Sequence, residues 1–302
     1  MRERAQISLL PGGRRLHLHD GPIDLIVEAF GITPQTNAAY RAAAERFVTV
    51  LDELCSELPL LRQPARRHGP LPVGVIARAM AAAVARYCER AFITPMAAVA
   101  GAVAEEILGA MTSAASLSRA YVNNGGDIAL HLAPGEHFVV GMVERPDRPS
   151  LFGTATLDST QPVRGIATSG WRGRSFSLGI ADAVTVLADR AAVADAAATV
   201  IANAVDLPGH PGVTRVPARD LAPDSDLGDL SVTQAVGQLS RSEIMNALDA
   251  GVVAAHSLLS QGFIRSAALH LRGDTRIVSM PSRLEFVAGP ESAQSSRSLI
   301  HA

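Results

Sequence analysis

Residues 119–130 read RAYVNNGGDIAL. Both ends have the composition of a β-strand. The centre does not: Asn123, Asn124, Gly125, Gly126 and Asp127 set two amides, two glycines and a carboxylate in a row. Asn-Gly between apolar flanks is a strong signal for a tight hairpin turn. Glycines at such a point also let a ligand or another backbone pass close. Two strands are therefore expected near 118–132. Their turn is either a simple connection or part of a site.

Reading outward, residues 14–30, RRLHLHDGPIDLIVEAF, form a second hairpin signal around Asp20-Gly21-Pro22. Thr33-Pro34 opens a helix to about Leu58, with Phe47, Val48, Leu51 and Leu54 at helical spacing. Residues 58–72 are proline-rich and read as a loop. Helices follow from about Val73 to Arg90 and over 92–111, the latter opened by Thr94-Pro95. Strands are expected near 137–144, 151–157, 164–168 and 183–187, then a helix over Ala191–Val205 and a loop-rich crossover over 206–229. A helix over Arg241–Gln261 and strands over Ile264–Leu271 and Thr275–Met280 complete the pattern. Helices and strands mix without regular βαβ alternation, which favours α+β. One domain over 1–285 is expected, with 286–302 as a polar, flexible tail.

The chain has 302 residues, 48% apolar and 19% charged, a globular composition. A net charge of -2 gives no general attraction to nucleic acid or anionic membrane. Aromatics are only 4%, so base-stacking platforms are not suggested. Cys55 and Cys88 form no CxxC motif and read as small apolar side chains in a reducing compartment. No stretch of eighteen or more residues reads as a membrane span, Met96–Val103 being the nearest. A cytoplasmic protein with a small-molecule ligand is expected, with no nucleic-acid or membrane partner. A homodimer is left open.

Four stretches carry candidate chemistry. In ADRAAVADAAATVIANAVD (188–206), Asp195, Thr199 and Asn203 recur every fourth residue, opposite an apolar face of Val193, Ala197, Val200, Ile201 and Ala204. A solvent face carries Lys, Glu or Arg, and here Asp195 is the single charge between Ala191 and Val205. The helix is therefore expected to be covered on both sides, with Asp195 largely buried. A buried carboxylate needs a partner, hydrogen bonds or a metal. An Asp followed one turn later by a Thr hydroxyl suits magnesium, and a satisfied structural carboxylate is the alternative. In ITPMAAVAGAVAEE (93–106), small residues allow either tight helix packing or a backbone carbonyl near Ala100 facing a ligand. In GIATSGWRGRSFS (165–177), Thr168, Ser169, Gly170, Arg172 and Arg174 suit a phosphate or carboxylate, or form a solvated polar hairpin. In DLAPDSDLGD (220–229), the aspartates read as caps and Asx turns before a metal site. His17 and His19 share a strand face without a third ligand in the sequence pattern.

Taken in order, AAVAGAVAEE (97–106), YVNNGGDIAL (121–130), GIATSG (165–170) and DAVTVLADRAAVADAAAT (182–199) resemble the ApbE superfamily, best known for FAD:protein FMN transferases. The resemblance covers roughly 85–205, and the two ends look like an uncharacterised ApbE-like branch. It implies an α+β, ApbE-like, T-fold-related architecture of mostly antiparallel sheets packed with helices. It implies magnesium held by Asp195 and Thr199 with the carbonyl of Ala100. Asn124, Gly125, Gly126, Thr168, Ser169, Gly170, Arg172 and Arg174 would hold a phosphate-bearing molecule such as FAD or FMN. Asp127 would orient a ligand hydroxyl or act as a base. Gly101 stands where the transferases carry a Lys, and WRGRSFSLGIA (171–181) replaces their His-Ile-Ile-Asp-Pro-x-Thr-Gly segment. A transferase, a non-catalytic ligand-binding protein, and a role in sulfur or one-carbon metabolism are the three functions carried forward.

Overall fold

The computed structural model describes residues 5–143, 151–279, 286–288 and 299–301. Its elements run β1 (Gln6–Leu9), β2 (Arg15–Asp20), β3 (Ile23–Phe30), α1 (Thr33–Leu61), α2 (Val75–Val84), α3 (Val99–Ala114), β4 (Arg119–Asn124), β5 (Asp127–Leu132) and β6 (His137–Val143). They continue as β7 (Leu151–Asp158), β8 (Gly165–Ser169), β9 (Ala183–Ala188), α4 (Ala191–Ala204), β10 (Val213–Pro217), α5 (Ala218–Leu221), β11 (Ser231–Val236) and α6 (Arg241–Ser260). The last are β12 (Ser266–Leu271), β13 (Asp274–Ser279), β14 (Phe286–Ala288) and β15 (Leu299–His301).

A nine-stranded sheet in the order β1-β2-β3-β4-β5-β8-β9-β12-β13 organises the fold, and each of its neighbouring pairs is antiparallel. β6 and β7 leave this sheet and pair in a second one, ordered β14-β7-β6-β15. Strand alternation decides which face each residue joins. Val122 and Ala129 join the larger core with α1, α3 and α4. Tyr121, Ile128 and Leu130 turn the other way, onto Phe138, Val140 and Leu157 of the small sheet. β9 and β12 are buried at every position, as strands covered on both faces must be. The α+β class and the mostly antiparallel pairing match the expectation.

α1 buries a stripe of Ala39, Ala43, Phe47, Val50 and Leu54, the spacing of one helical face. Val48 falls off that stripe and is exposed. The helix runs a turn beyond the expected end and carries Pro59 in that last turn. There the proline removes the amide that would pair with the Cys55 carbonyl, a loss confined to the last turn. α2 ends at Val84 and tightens into a 3-10 turn, Ala85–Tyr87. β1 carries no burial pattern to read, because all four residues are exposed. The crossover 206–229 contains β10 and α5, short elements in Pro- and Gly-rich sequence. Glu144 and Met280, at the ends of expected strands, lie outside the described residues, as does most of the expected tail.

Contrary to the sequence expectation, Pro95–Ala114 is long and apolar enough to cross a membrane by length and composition. In this fold it is a central helix, packed on α1, α2, α4 and β5. Its glutamates reach out of the apolar stretch, Glu105 to Arg190 and Glu106 to Arg46.

α4 has no exposed residue, and glycines let it sit so deep. A Cβ on Gly101 of α3 would lie 2.4 Å from the carbonyl oxygen of Ala191. One on Gly165 of β8 would lie 2.2 Å from the amide nitrogen of Ala191. One on Gly179 would lie 2.1 Å from the carbonyl oxygen of Ala202, at the other end of the helix. These are backbone atoms that cannot rotate aside. Gly165→Ala is therefore expected to cost about 3 kcal/mol, measured by urea unfolding. A loss below about 0.5 kcal/mol would show that α4 can be displaced freely.

Candidate functional site

A cavity of about 610 Å³ opens where the start of α3, the β4–β5 turn, the end of β8, α4 and the loop 222–227 meet. The quoted hairpin forms one wall. Asn124 pairs with Asp127 across a two-residue turn. Gly125 and Gly126 have φ of 65° and 112°, left-handed conformations that glycine adopts without strain. The Asn123 side-chain oxygen accepts the Gly126 N–H at 2.8 Å. The buried Asn124 amide donates to the Ala100 carbonyl at 3.2 Å, tying the turn to α3. Asp127 accepts the Thr168 N–H at 3.2 Å, tying it to β8. The stretch is thus both turn and pocket wall.

α3 and α4 each lack a side-chain cap from their own segments. Each takes one from the other helix. Asp195 of α4 accepts the Gly101 N–H of the first turn of α3 at 3.0 Å. Glu105 of α3 accepts the Ala192 N–H of the first turn of α4 at 3.1 Å, and its other oxygen meets Arg190 at 2.6 Å. Unpaired amides at a helix start, with the positive end of the helix dipole, favour a carboxylate there. This exchange places Asp195 at the pocket floor, half-buried, with Thr199 one turn further along the same face.

Two carboxylates therefore share one pocket. Burial pushes Asp127 up to about 7, against the Thr168 N–H and the Arg174 guanidinium. Burial, then the charge of Asp127, pushes Asp195 well above the usual carboxylate range, against the amides of Gly101 and Ala100. Arg174 lies over the turn, so close that a Cβ on Gly125 would meet its guanidinium. Among the described residues no group of three or more His, Cys, Asp or Glu is placed to hold a metal. A cation here would rest on the two carboxylates, completed by the Thr199 hydroxyl, the remaining lone pair of the Ala100 carbonyl and water. That hard-oxygen, partly hydrated set suits magnesium and does not suit zinc.

Asn124, Gly125, Gly126, Asp127, Thr168, Ser169, Gly170, Arg174, Asp195, Thr199 and Ala100 all line this cavity. The Thr168 hydroxyl is already engaged with that of Thr185 at 2.9 Å. Arg172 is not brought to the pocket. Its Nε donates to the buried Asp182 at 2.6 Å, and its guanidinium lies 4.4 Å over the Trp171 ring. Trp171 Nε1 and the Arg272 N–H complete the same carboxylate at 3.2 and 2.7 Å. Arg172 and Arg174 are two residues apart, and the turn between them sends the first inward and the second to the pocket. Arg62 and Asp224, which sequence reasoning did not assign to the site, also line it. So does Asp226, which accepts the hydroxyl of buried Thr94 at 2.5 Å.

The family model described as "AbpE bacteria" matches residues 7–277. That span takes in both pocket walls and all of α3 and α4, and the chain belongs to this family. A UPF0280 protein of Methanopyrus kandleri is 39% identical over 145 residues, 47% of this chain and 56% of that protein. One from Methanococcoides burtonii is 42% identical over 123 residues, 40% of this chain and 49% of that protein. The chain spans about half the length of the curated relatives it matches. Among solved structures, an ApbE protein of Thermotoga maritima aligns over 90% of this chain and 96% of its own, at 14% identity and TM-score 0.49. The flavin transferase ApbE of Vibrio cholerae aligns over 92% and 98%, at 11% identity and TM-score 0.40.

Arg172→Gln leaves Asp182 buried with a weaker partner. It is expected to lower stability by about 3 kcal/mol in urea unfolding. A change within about 0.5 kcal/mol would mean that Trp171 and the Arg272 amide satisfy Asp182 alone.

Proposed function

We propose that the pocket binds a phosphate-bearing small molecule together with magnesium. The observation that carries this reading is the pair of carboxylates, Asp127 and Asp195, enclosed in one cavity beside Arg174. Two negative charges in a confined space are poorly tolerated unless protonated or neutralised. A divalent cation neutralises both, and Arg174 then faces an anion. Flavin nucleotides are the first ligands to test, because residues 85–205 resemble the FAD:protein FMN transferases. Magnesium, when bound, supplies Lewis-acid polarisation of a phosphoryl oxygen. Arg174 donates to phosphate oxygens from above Gly125. Asp127, titrating near neutral pH, can hold or release a proton at the ligand.

A second reading is binding without transfer, and Gly101 favours it. The transferases the chain resembles carry a Lys there, and here the contact with Ala191 leaves no room for any side chain. The pocket would then hold its ligand without the reaction. Protein-linked flavin after incubation with FAD, magnesium and a target peptide separates the two readings.

Titration calorimetry with magnesium tests the shared part. Asp195→Asn keeps an acceptor for the Gly101 amide while removing the charge, so the fold is retained. Magnesium affinity is expected to fall at least about tenfold; equal binding by both proteins would make Asp195 purely a helix cap.

The titration sets a pH dependence. The unfolded chain releases the Asp127 proton near 3.8, and the folded chain near 7. Between those values the native state binds more protons, so stability without a cation falls as pH rises through the window. Bound magnesium must displace that proton. Its affinity is therefore expected to rise with pH from about 5 through about 7, as Asp127 and then the likewise raised Asp195 give up their protons, with proton release seen in buffers of different ionisation enthalpy. Binding that is flat from pH 5 to 8 would contradict a carboxylate site of this kind.

A further inference from the structure

The outer wall of the pocket comes from parts of the chain outside the stretch that resembles the transferases. Arg62 extends from the C-terminal end of α1, and Asp224 from the loop 222–227. Arg62 Nη2 donates to Asp224 Oδ2 at 2.8 Å, with side-chain exposures of 35% and 75%. Water competes for so open a pair, which makes it easily exchanged.

The wall does not depend on that pair. Asp226 anchors the same loop to Thr94 at 2.5 Å. The Ser225 N–H donates to the Ala222 carbonyl at 2.9 Å, and the Gly228 N–H to the Ser225 carbonyl at 3.2 Å. The backbone of Arg62 is held as well, its N–H donating to the Leu58 carbonyl at 3.0 Å. Only the guanidinium is free to change partner. A phosphate offers it more charge and a better match to its planar fork than one exposed carboxylate does.

We propose that Arg62 is a second anion-recognition residue of the pocket, and that Asp224 competes with the ligand for it. The ligands selected are those with two anionic groups, one at the Arg174 end and one at the outer wall. A diphosphate is the smallest of that class. This deepens the reading of the pocket as a phosphate site and rests on it. It adds that the outer subsite is set by residues lying outside the resembling stretch.

The test is titration calorimetry of the full chain with inorganic pyrophosphate, with and without magnesium, on wild type, Arg62→Gln and Asp224→Asn. Arg62→Gln is expected to weaken pyrophosphate binding about tenfold. Asp224→Asn is expected to tighten it about three- to fivefold, because the competing charge is gone. A gain on removing a surface carboxylate is not what a merely structural ion pair would give. Circular dichroism and urea unfolding should show both variants folded as wild type. Pyrophosphate binding that is unchanged in either variant, or absent in wild type, would overturn the proposal. Loss of magnesium dependence in wild type would instead count against the metal at Asp195, with the two variant responses unaffected.

Discussion

The exchange of carboxylates between α3 and α4 is the contact on which the site depends. Each helix starts without a cap of its own, and each supplies the acid that caps the other. The exchange requires the two backbones to touch, and Gly101 against Ala191 is that touch. Together these contacts fix where Asp195 sits, how deep α4 lies and where α3 meets the hairpin. The price is a half-buried acid whose charge is incompletely offset by backbone amides. The second carboxylate, Asp127, arrives from the sheet and raises the electrostatic demand further.

The remaining scaffold holds this junction still. The hairpin is tied to α3 through Asn124 and to β8 through Asp127. Asp182 collects Trp171, Arg172 and the Arg272 amide, and so fixes the loop whose next residues carry Arg174. The small sheet packs on the far face of β4 and β5, from which Tyr121, Ile128 and Leu130 point away from the pocket. The same two strands thus serve a core on each face, and Asn124 and Asp127 reach the pocket at the turn end of the face that carries Val122 and Ala129. A one-residue slip in register would exchange the two faces.

Much of this was legible beforehand, for local reasons. Asn-Asn-Gly-Gly-Asp announced a turn because a two-residue turn with left-handed φ selects glycine. Asp195 and Thr199 stood out because a lone charge amid alanines is inconsistent with a solvent face. Other features were hidden because they depend on contacts distant in sequence. Nothing near Glu105 says that it caps a helix beginning 86 residues later, at Ala191. Arg172 and Arg174 are indistinguishable until Asp182 claims one of them. Arg62 sits at a helix end in a basic stretch, with no pattern marking it for a pocket closed by a loop 162 residues away. The acidic loop stands out in the sequence, but its turns close through backbone bonds, while Asp224, Asp226 and Asp229 reach out to Arg62, Thr94 and Arg219.

The central claim is that Asp127 and Asp195 face one cation site. Anomalous diffraction from crystals soaked in manganese, as a magnesium surrogate, tests it most directly. The account predicts one strong peak about 2–2.5 Å from oxygens of Asp195 and the Thr199 hydroxyl, on the side facing Asp127. An empty pocket with peaks only at exposed carboxylates would contradict it, and would leave Asp195 as the cap of α3 alone.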